Sequence, residues 1–186
     1  MPERRRGAAL EKALLDAAWE ELTASGYARF TMDAVVKRAS TSPPVLYRRW
    51  PGRDELVRAA IVHVLERSRI DLPDTGSLRE DVLTLMRAIN ATRFQLVIVM
   101  SAHLAAYYQE AGTSAGDLLA AAGDNNADVL FARAAERGEI DPERLSERVR
   151  TLPFDLLRHE FLTTFAPAPD HVLEEIVDTI FLPLVR

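Results

Sequence analysis

The stretch from Phe30 to Val57, FTMDAVVKRASTSPPVLYRRWPGRDELV, constrains this chain more than any other part of it. Thr31 is a good N-cap, and Asp33 falls in the positive first turn of a short helix that runs from Met32 to about Ala39. Ala34, Val35 and Ala39 recur at helical spacing and face a small core. Ser40, Thr41 and Ser42 interrupt that pattern. Ser42 then caps a second helix, with Pro43 at the first helical position, where no amide hydrogen bond is lost. Val45-Leu46-Tyr47-Arg48-Arg49-Trp50 follows, and Pro51-Gly52 breaks the chain again. A helix this short is marginal in water unless it is packed, because isolated helices need about 12 residues or more. Its use is to present a protruding end that carries cations, as the second helix of a helix-turn-helix does in the DNA major groove.

At Gly26-Tyr27, Phe30-Thr31, Val35 to Ala39, Leu46-Tyr47-Arg48-Arg49-Trp50 and Asp54-Glu55-Leu56-Val57 the chain resembles the TetR family of transcriptional repressors. The likeness is specific from about Leu10 to Val64. More weakly, Leu152 to Val185 resembles the dimer-forming C-terminal helices of part of that family. The resemblance implies an all-α fold: an N-terminal three-helix helix-turn-helix domain over 1–53, a connecting helix over about 53–69, and a larger helical ligand-binding and dimerisation domain over 70–186. Two departures stand out. Ser40 occupies a position where the family often has Gly, and Pro43-Pro44 replaces small or polar residues. A proline disfavours the helical region for the residue before it, so the pair opposes a regular first turn.

Charge supports one polyanion-binding end. Residues 1–53 hold ten Lys/Arg and six Asp/Glu, a balance of +4; the remaining thirteen and twenty-two give −9, which restores the total of −5. With no cysteine, disulfides and thiolate metal sites are excluded, and a reducing cytoplasm is the expected compartment. No uninterrupted apolar run reaches the ~18 residues of a membrane span, and Arg4-Arg5-Arg6 has no apolar segment directly behind it. His63, His103, His159 and His171 show no metal-ligand spacing, and no catalytic motif is present, so neither an enzyme nor a cofactor is expected.

Along the chain, Arg4 to Arg6 form a basic arm suited to the minor groove. Leu10, Leu14, Ala17, Ala18 and Leu22 mark a first helix closed by Gly26, and Tyr27 and Phe30 fill the small core. A long helix is predicted over 53–69, and Leu72-Pro73-Asp74-Thr75-Gly76 is the clearest boundary. Further helices are predicted over about 78–92, 94–110 and 115–137, then one through Leu145, Val149, Leu152 and Leu156 that Pro153 kinks. The last, about 170–185, carries a stripe of Leu173, Ile176, Val177, Ile180, Phe181 and Leu184.

Three sites follow. For DNA, Arg48 is the first choice for polar base readout, and Tyr47 offers its hydroxyl to a phosphate. Lys37, Arg49 and Arg53 are phosphate partners, with Thr31 adding a hydroxyl; Thr41, Ser42, Pro43, Pro44 and Val45 sit where base edges lie. For a small-molecule effector of unknown identity, Met86, Asn90, Phe94, Met100, His103, Leu104, Tyr107 and Phe131 mix apolar and polar groups. For a homodimer, Leu152, Leu156, His159 and Phe161 join Leu173, Ile176, Val177, Ile180, Phe181 and Leu184 as a four-helix interface. The expected protein is a ligand-responsive, homodimeric DNA-binding regulator, most simply a repressor, on a palindromic double-stranded operator. The alternative is a helical small-molecule-binding protein with weak or vestigial DNA binding, for which Pro43-Pro44 is the argument.

Overall fold

The computed structural model of the chain describes residues 7–122 and 127–186. The Arg4–Arg6 arm, and the middle of the helix predicted over 115–137, lie outside these residues. Among the described residues all regular structure is helical. They form two compact units: one from the described parts of Met1–Arg67 and Val99–Asp124, the other from those of Ser68–Ile98 and Asn125–Arg186.

In the first unit, α1 (Ala8–Ser25) buries Leu14, Leu15, Ala17, Ala18 and Leu22 along one face. Full burial of a leucine such as Leu14 or Leu22 is worth about 2 kcal/mol. Gly26 ends α1 at φ 70°, and its amide donates to the Leu22 carbonyl. The chain then makes a 3-10 turn, Tyr27–Arg29, that drives Tyr27 and Phe30 into the core as predicted. Next come α2 (Met32–Arg38), α3 (Pro43–Tyr47) and α4 (Arg53–Arg67). α4 packs along α1 through Leu56, Val57, Ala60, Ile61 and Leu65. The C-terminal part of α6 (Phe94–His103), α7 (Ala105–Ala111) and α8 (Ala115–Ala121) complete this unit.

The single helix predicted over 94–110 is therefore two. The backbone leaves the helix at Leu104, at φ −107° and ψ 2°. Leu104 is fully buried, and Tyr107, one turn on, sets its ring edge-on to Tyr27 at 5.4 Å. Packing has overridden a run of good helix formers. α7 ends at Gly112, which takes the left-handed region at φ 60°.

In the second unit, α5 (Leu78–Thr92) packs on α9 (Ala127–Glu136) and α10 (Glu147–Thr164). The loop before α5 is fastened by Asp81, which is fully buried; one carboxylate oxygen accepts from the Thr75 amide at 2.7 Å and hydroxyl at 2.8 Å. α10 runs through the buried Pro153, as the periodicity requires. Leu145 lies before it, after a 3-10 turn Pro142–Arg144.

The last predicted helix divides into α11 (Asp170–Glu175), a π-helical segment Ile176–Phe181, and α12 (Leu182–Val185). The Leu182 amide reaches back five residues to the Val177 carbonyl. The widening lies directly before Pro183, whose ring would strike the carbonyl four residues back in a straight α-helix. Arg79 also holds this segment, through two bonds to Asp178 at 2.6 and 2.7 Å. The wider turn shifts the register, so Phe181, Leu182 and Val185 go inward while Ile180 and Leu184 stay exposed.

One helical stretch, Leu78–His103, is long and apolar enough to cross a membrane, although no uninterrupted apolar run was expected to be. It leaves the α-helix at Arg93, and 39% of its most apolar window is buried in the fold.

Candidate nucleic-acid interface

The turn between α2 and α3 is built by the backbone. The Thr41 amide donates to the Val36 carbonyl at 3.1 Å, and the Ser40 amide to Lys37 at 3.2 Å. This pair of bonds is a Schellman motif, which needs a left-handed residue at its centre. Ser40 supplies it at φ 52°. That is the position where the resembling family often has Gly.

Thr31 caps α2 as predicted, its hydroxyl oxygen accepting from the Ala34 amide at 3.2 Å. Ser42 stands at the cap position of α3, yet its side chain makes no cap bond. The reason is local. Pro43 and Pro44 have no amide to offer, and the Val45 amide bonds the Ser42 carbonyl at 3.0 Å. The first turn of α3 is thus closed by a tighter three-residue bond, and the prolines lie where helix amides would be unpaired anyway.

Burial sorts the side chains of this segment. Leu46 is fully buried and Trp50 is buried, which anchors α3. Ser42, Pro43, Pro44, Tyr47 and Arg48 are exposed; Thr41, Val45 and Arg49 are half-buried. Tyr47 is 45% exposed, a large aromatic surface left open to solvent. Lys37 is exposed at the end of α2. Among the described residues no ion pair engages Lys37, Arg48 or Arg49, whereas Arg38 is held to Glu21 at 2.9 Å and Glu20 at 3.5 Å on α1. The cations of this face are divided: Arg38 ties α2 to α1, Lys37 and Arg48 are exposed, and Arg49 is half-buried with one guanidinium nitrogen buried and without a hydrogen-bond partner among the described residues.

Arg53 is placed differently. Its Nη2 donates to the Tyr27 hydroxyl at 2.8 Å and to Glu110 at 2.7 Å. Its guanidinium lies 4.0 Å over the Tyr27 ring. The Tyr27 hydroxyl donates to Asp54 at 2.6 Å, with Glu110 at 3.0 Å. Burial, then these carboxylates, push the Tyr27 phenol well above its ordinary pKa. Nothing in the sequence pointed from Arg53 to Glu110, 57 positions away.

Comparison with known proteins settles the family. Residues 14–60 match the model described as bacterial regulatory proteins of the tetR family, and residues 72–180 match the tetracyclin repressor-like C-terminal domain. The chain belongs to the TetR family of transcriptional regulators. It is a DNA-binding transcriptional regulator of helix-turn-helix type. A DNA-binding transcriptional repressor TetR of Mycobacteroides abscessus is 29% identical over 184 residues, covering 97% of this chain and 96% of the relative. An uncharacterized HTH-type transcriptional regulator of Mycobacterium tuberculosis is 30% identical over 180 residues, 93% of this chain and 86% of its own. Among solved structures, the flavonoid-responsive regulator FrrA superposes with a TM-score of 0.62 at 18% identity, over 95% of this chain and 97% of that one. A TetR family transcription regulator does so at 0.58 and 23%, over 95% and 98%. These two likenesses carry the fold alone.

The residues expected to contact an effector fall in both units. Met86 and Phe131 are buried in the second unit's core, and Phe94 is half-buried with its ring edge-on to Phe161 at 5.3 Å. Asn90 spends both ends of its amide on Ala168, donating to its carbonyl at 3.0 Å and accepting from its amide at 2.8 Å. In the first unit, Met100, Leu104 and Tyr107 are buried and His103 is exposed. The neighbouring Tyr108 hydroxyl is buried without a hydrogen-bond partner among the described residues, and burial pushes its pKa up to about 12. A surface cleft of about 580 Å³ in the first unit is lined by Glu11, Lys12, Arg58, His63 and Glu66, none of which was predicted to touch an effector.

The expected interface residues also sort by burial. Phe161, Leu173, Ile176, Val177 and Phe181 belong to the protomer's own core. Leu152 and Leu156 are half-buried, and His159, Ile180 and Leu184 are exposed. Two further apolar side chains on this stretch, Leu162 and Phe165, are 37% and 69% exposed. Leu162 follows His159 at helical spacing. Phe165 closes α10 in the left-handed region at φ 52°, a conformation costly for a bulky residue.

Proposed function

We propose that this regulator is a homodimeric repressor that binds a palindromic operator through Lys37 and the segment Thr41–Arg49. The observation that carries the reading is the exposed wedge of Pro43, Pro44, Tyr47 and Arg48, flanked by cations that no carboxylate of the described residues engages. Arg48 reads a guanine edge by its fork of donors; Pro43, Pro44 and Val45 contact thymine methyls; Tyr47, Lys37, Arg49 and Thr31 take phosphates. The alternative of a vestigial head loses support, because Pro43-Pro44 is accommodated at the start of α3 with Leu46 fully buried beneath it.

Dimerisation is supported by apolar side chains that stay exposed: Leu162 on α10, beside the exposed His159 and the half-buried Leu152, and Ile180 and Leu184 four residues apart near the chain's end. One short recognition helix gives little affinity, and two copies about one helical turn apart read a palindrome. Binding is the whole activity in this reading, with no bond made or broken, in the cytoplasm. A small-molecule effector is the remaining part: it acts by preferring an arrangement of the two heads that mismatches the operator, and lowers affinity by that preference. Within the first unit, the buried Met100, Leu104 and Tyr107, with a Tyr108 hydroxyl that has no hydrogen-bond partner among the described residues, support such a ligand.

The test is a gel shift on a duplex selected from random DNA by the purified protein, over a salt series with competitor DNA. Specific binding falls steeply with salt and survives competition. A protein that selects no sequence refutes the reading.

A further inference from the structure

The contact between Arg53 and Glu110 has a consequence for DNA affinity. Arg53 stands in the first turn of α4, directly after the Pro51-Gly52 break, where free helix amides favour an anion. Its guanidinium is already occupied. Three of its holders, Tyr27 below the ring plane, the Tyr27 hydroxyl and Asp54 at 3.7 Å from Nε, belong to the N-terminal helices themselves. The fourth, the Glu110 carboxylate at 2.7 Å, comes from α7. α7 is a separate piece of backbone. It starts after the departure at Leu104 and ends at the left-handed Gly112. Its second hold on the same place is Tyr107 against the Tyr27 ring.

We propose that Glu110 is a built-in competitor for the DNA backbone: it holds Arg53 away from a phosphate and so sets the resting affinity of the head. A carboxylate and a phosphate oxygen want the same donors of one guanidinium, and one nitrogen already gives its proton to Glu110. A shift of α7 carries Glu110 and Tyr107 with it and leaves Arg53 to Tyr27 and Asp54 alone, so that a phosphate competes with one carboxylate fewer for the guanidinium. The position of α7 is thereby written into DNA affinity through one ion pair. The inference rests on DNA binding by the exposed wedge, and adds a residue to it that never touches DNA.

The test is a double-mutant cycle with Glu110→Gln and Arg53→Gln, measured on a duplex selected by the wild-type protein. Glutamine keeps the shape of Glu110 and removes its charge; at Arg53 it removes the charge and shortens the side chain while leaving a polar amide. In the wild-type background Glu110→Gln should tighten binding about threefold, the scale of an exposed ion pair. The slope of log affinity against log salt should steepen by about 0.9, the mark of one added phosphate contact. In the Arg53→Gln background the same change should leave both quantities close to their starting values. Equal tightening in the two backgrounds would reduce Glu110 to a general repulsive charge and overturn the proposal, as would no change in either. The two readings separate cleanly: a wild-type protein that selects no duplex removes DNA binding itself, whereas one that selects a duplex without coupling between the two positions removes only the competitor.

Discussion

Ser40→Gly tests the geometry of the head at one atom. Ser40 holds φ 52°, where a β-carbon crowds the backbone, at a cost of about 1–2 kcal/mol for a residue other than glycine. Its side chain is exposed, so little packing is lost on truncation. The Schellman bonds from Ser40 and Thr41 use backbone atoms only and survive the change. Against the relief stands the greater freedom of glycine in the unfolded chain, about 0.5–1 kcal/mol. The net expectation is a gain of about 1 kcal/mol, or roughly 3 °C in Tm for a chain of this length. Urea denaturation followed by circular dichroism measures it, with amide exchange in α2 and α3 to locate the gain. Ser40→Ala keeps the β-carbon and should bring no gain. Loss of stability on Ser40→Gly, or an equal gain on Ser40→Ala, would show that the turn is not held in the left-handed region.

Other outcomes follow from the same side chains. Arg48→Ala should weaken specific binding by about 1–3 kcal/mol and relax one operator position, whereas Lys37→Ala should weaken all sequences alike and flatten the salt slope by about one contact; titrations on the selected duplex and its point variants distinguish them. Leu46→Ala, beneath the wedge, should cost about 2–5 kcal/mol of stability because Leu46 is fully buried, readable as a lower urea midpoint. Ile180→Asp should give monomers that stay folded, while Leu173→Asp, in the core, should unfold the protein; sedimentation and circular dichroism separate the two. Arg79 and Arg87 hold the carboxyls of Asp178 and Asp170 below the ordinary carboxylate value of 3.8 through hydrogen bonds. Their folded pKa values are depressed, so their contribution is complete above that value and is lost as pH falls through the lower folded one. Asp178→Asn should therefore flatten the acid limb of urea midpoint against pH.

Local chemistry was legible where local chemistry decides the structure. Thr31, Gly26, Pro43 and the pair Tyr27 and Phe30 each announced a cap, a stop, a first turn or a core plug, and each stands there. Pro153 sits inside a continuous helix for the same reason: the apolar repeat on either side outweighs one missing amide. What the sequence hid was set by distant partners. Leu104 lies in a run of helix formers, and only its burial, with Tyr107 against Tyr27, explains the break. The stripe of the last helix assumed a constant period. The π-helical segment before Pro183 changes the period, and it moves Ile180 and Leu184 off the face that Phe181 and Val185 occupy. Arg53 was read as an available cation because Glu110 lies 57 positions away. Asn90 had the look of a ligand-orienting amide, yet it closes on the Ala168 backbone.

The most direct measurement is a hydroxyl-radical footprint of the purified protein on its selected duplex, beside the same footprint for Tyr47→Ala and Arg48→Ala. Two protected patches on one face of the duplex, about one helical turn apart and lost together in both variants, are the expected result. A single patch, or protection unchanged in both variants, would contradict a wedge from Thr41 to Arg49 presented to DNA by each of two protomers.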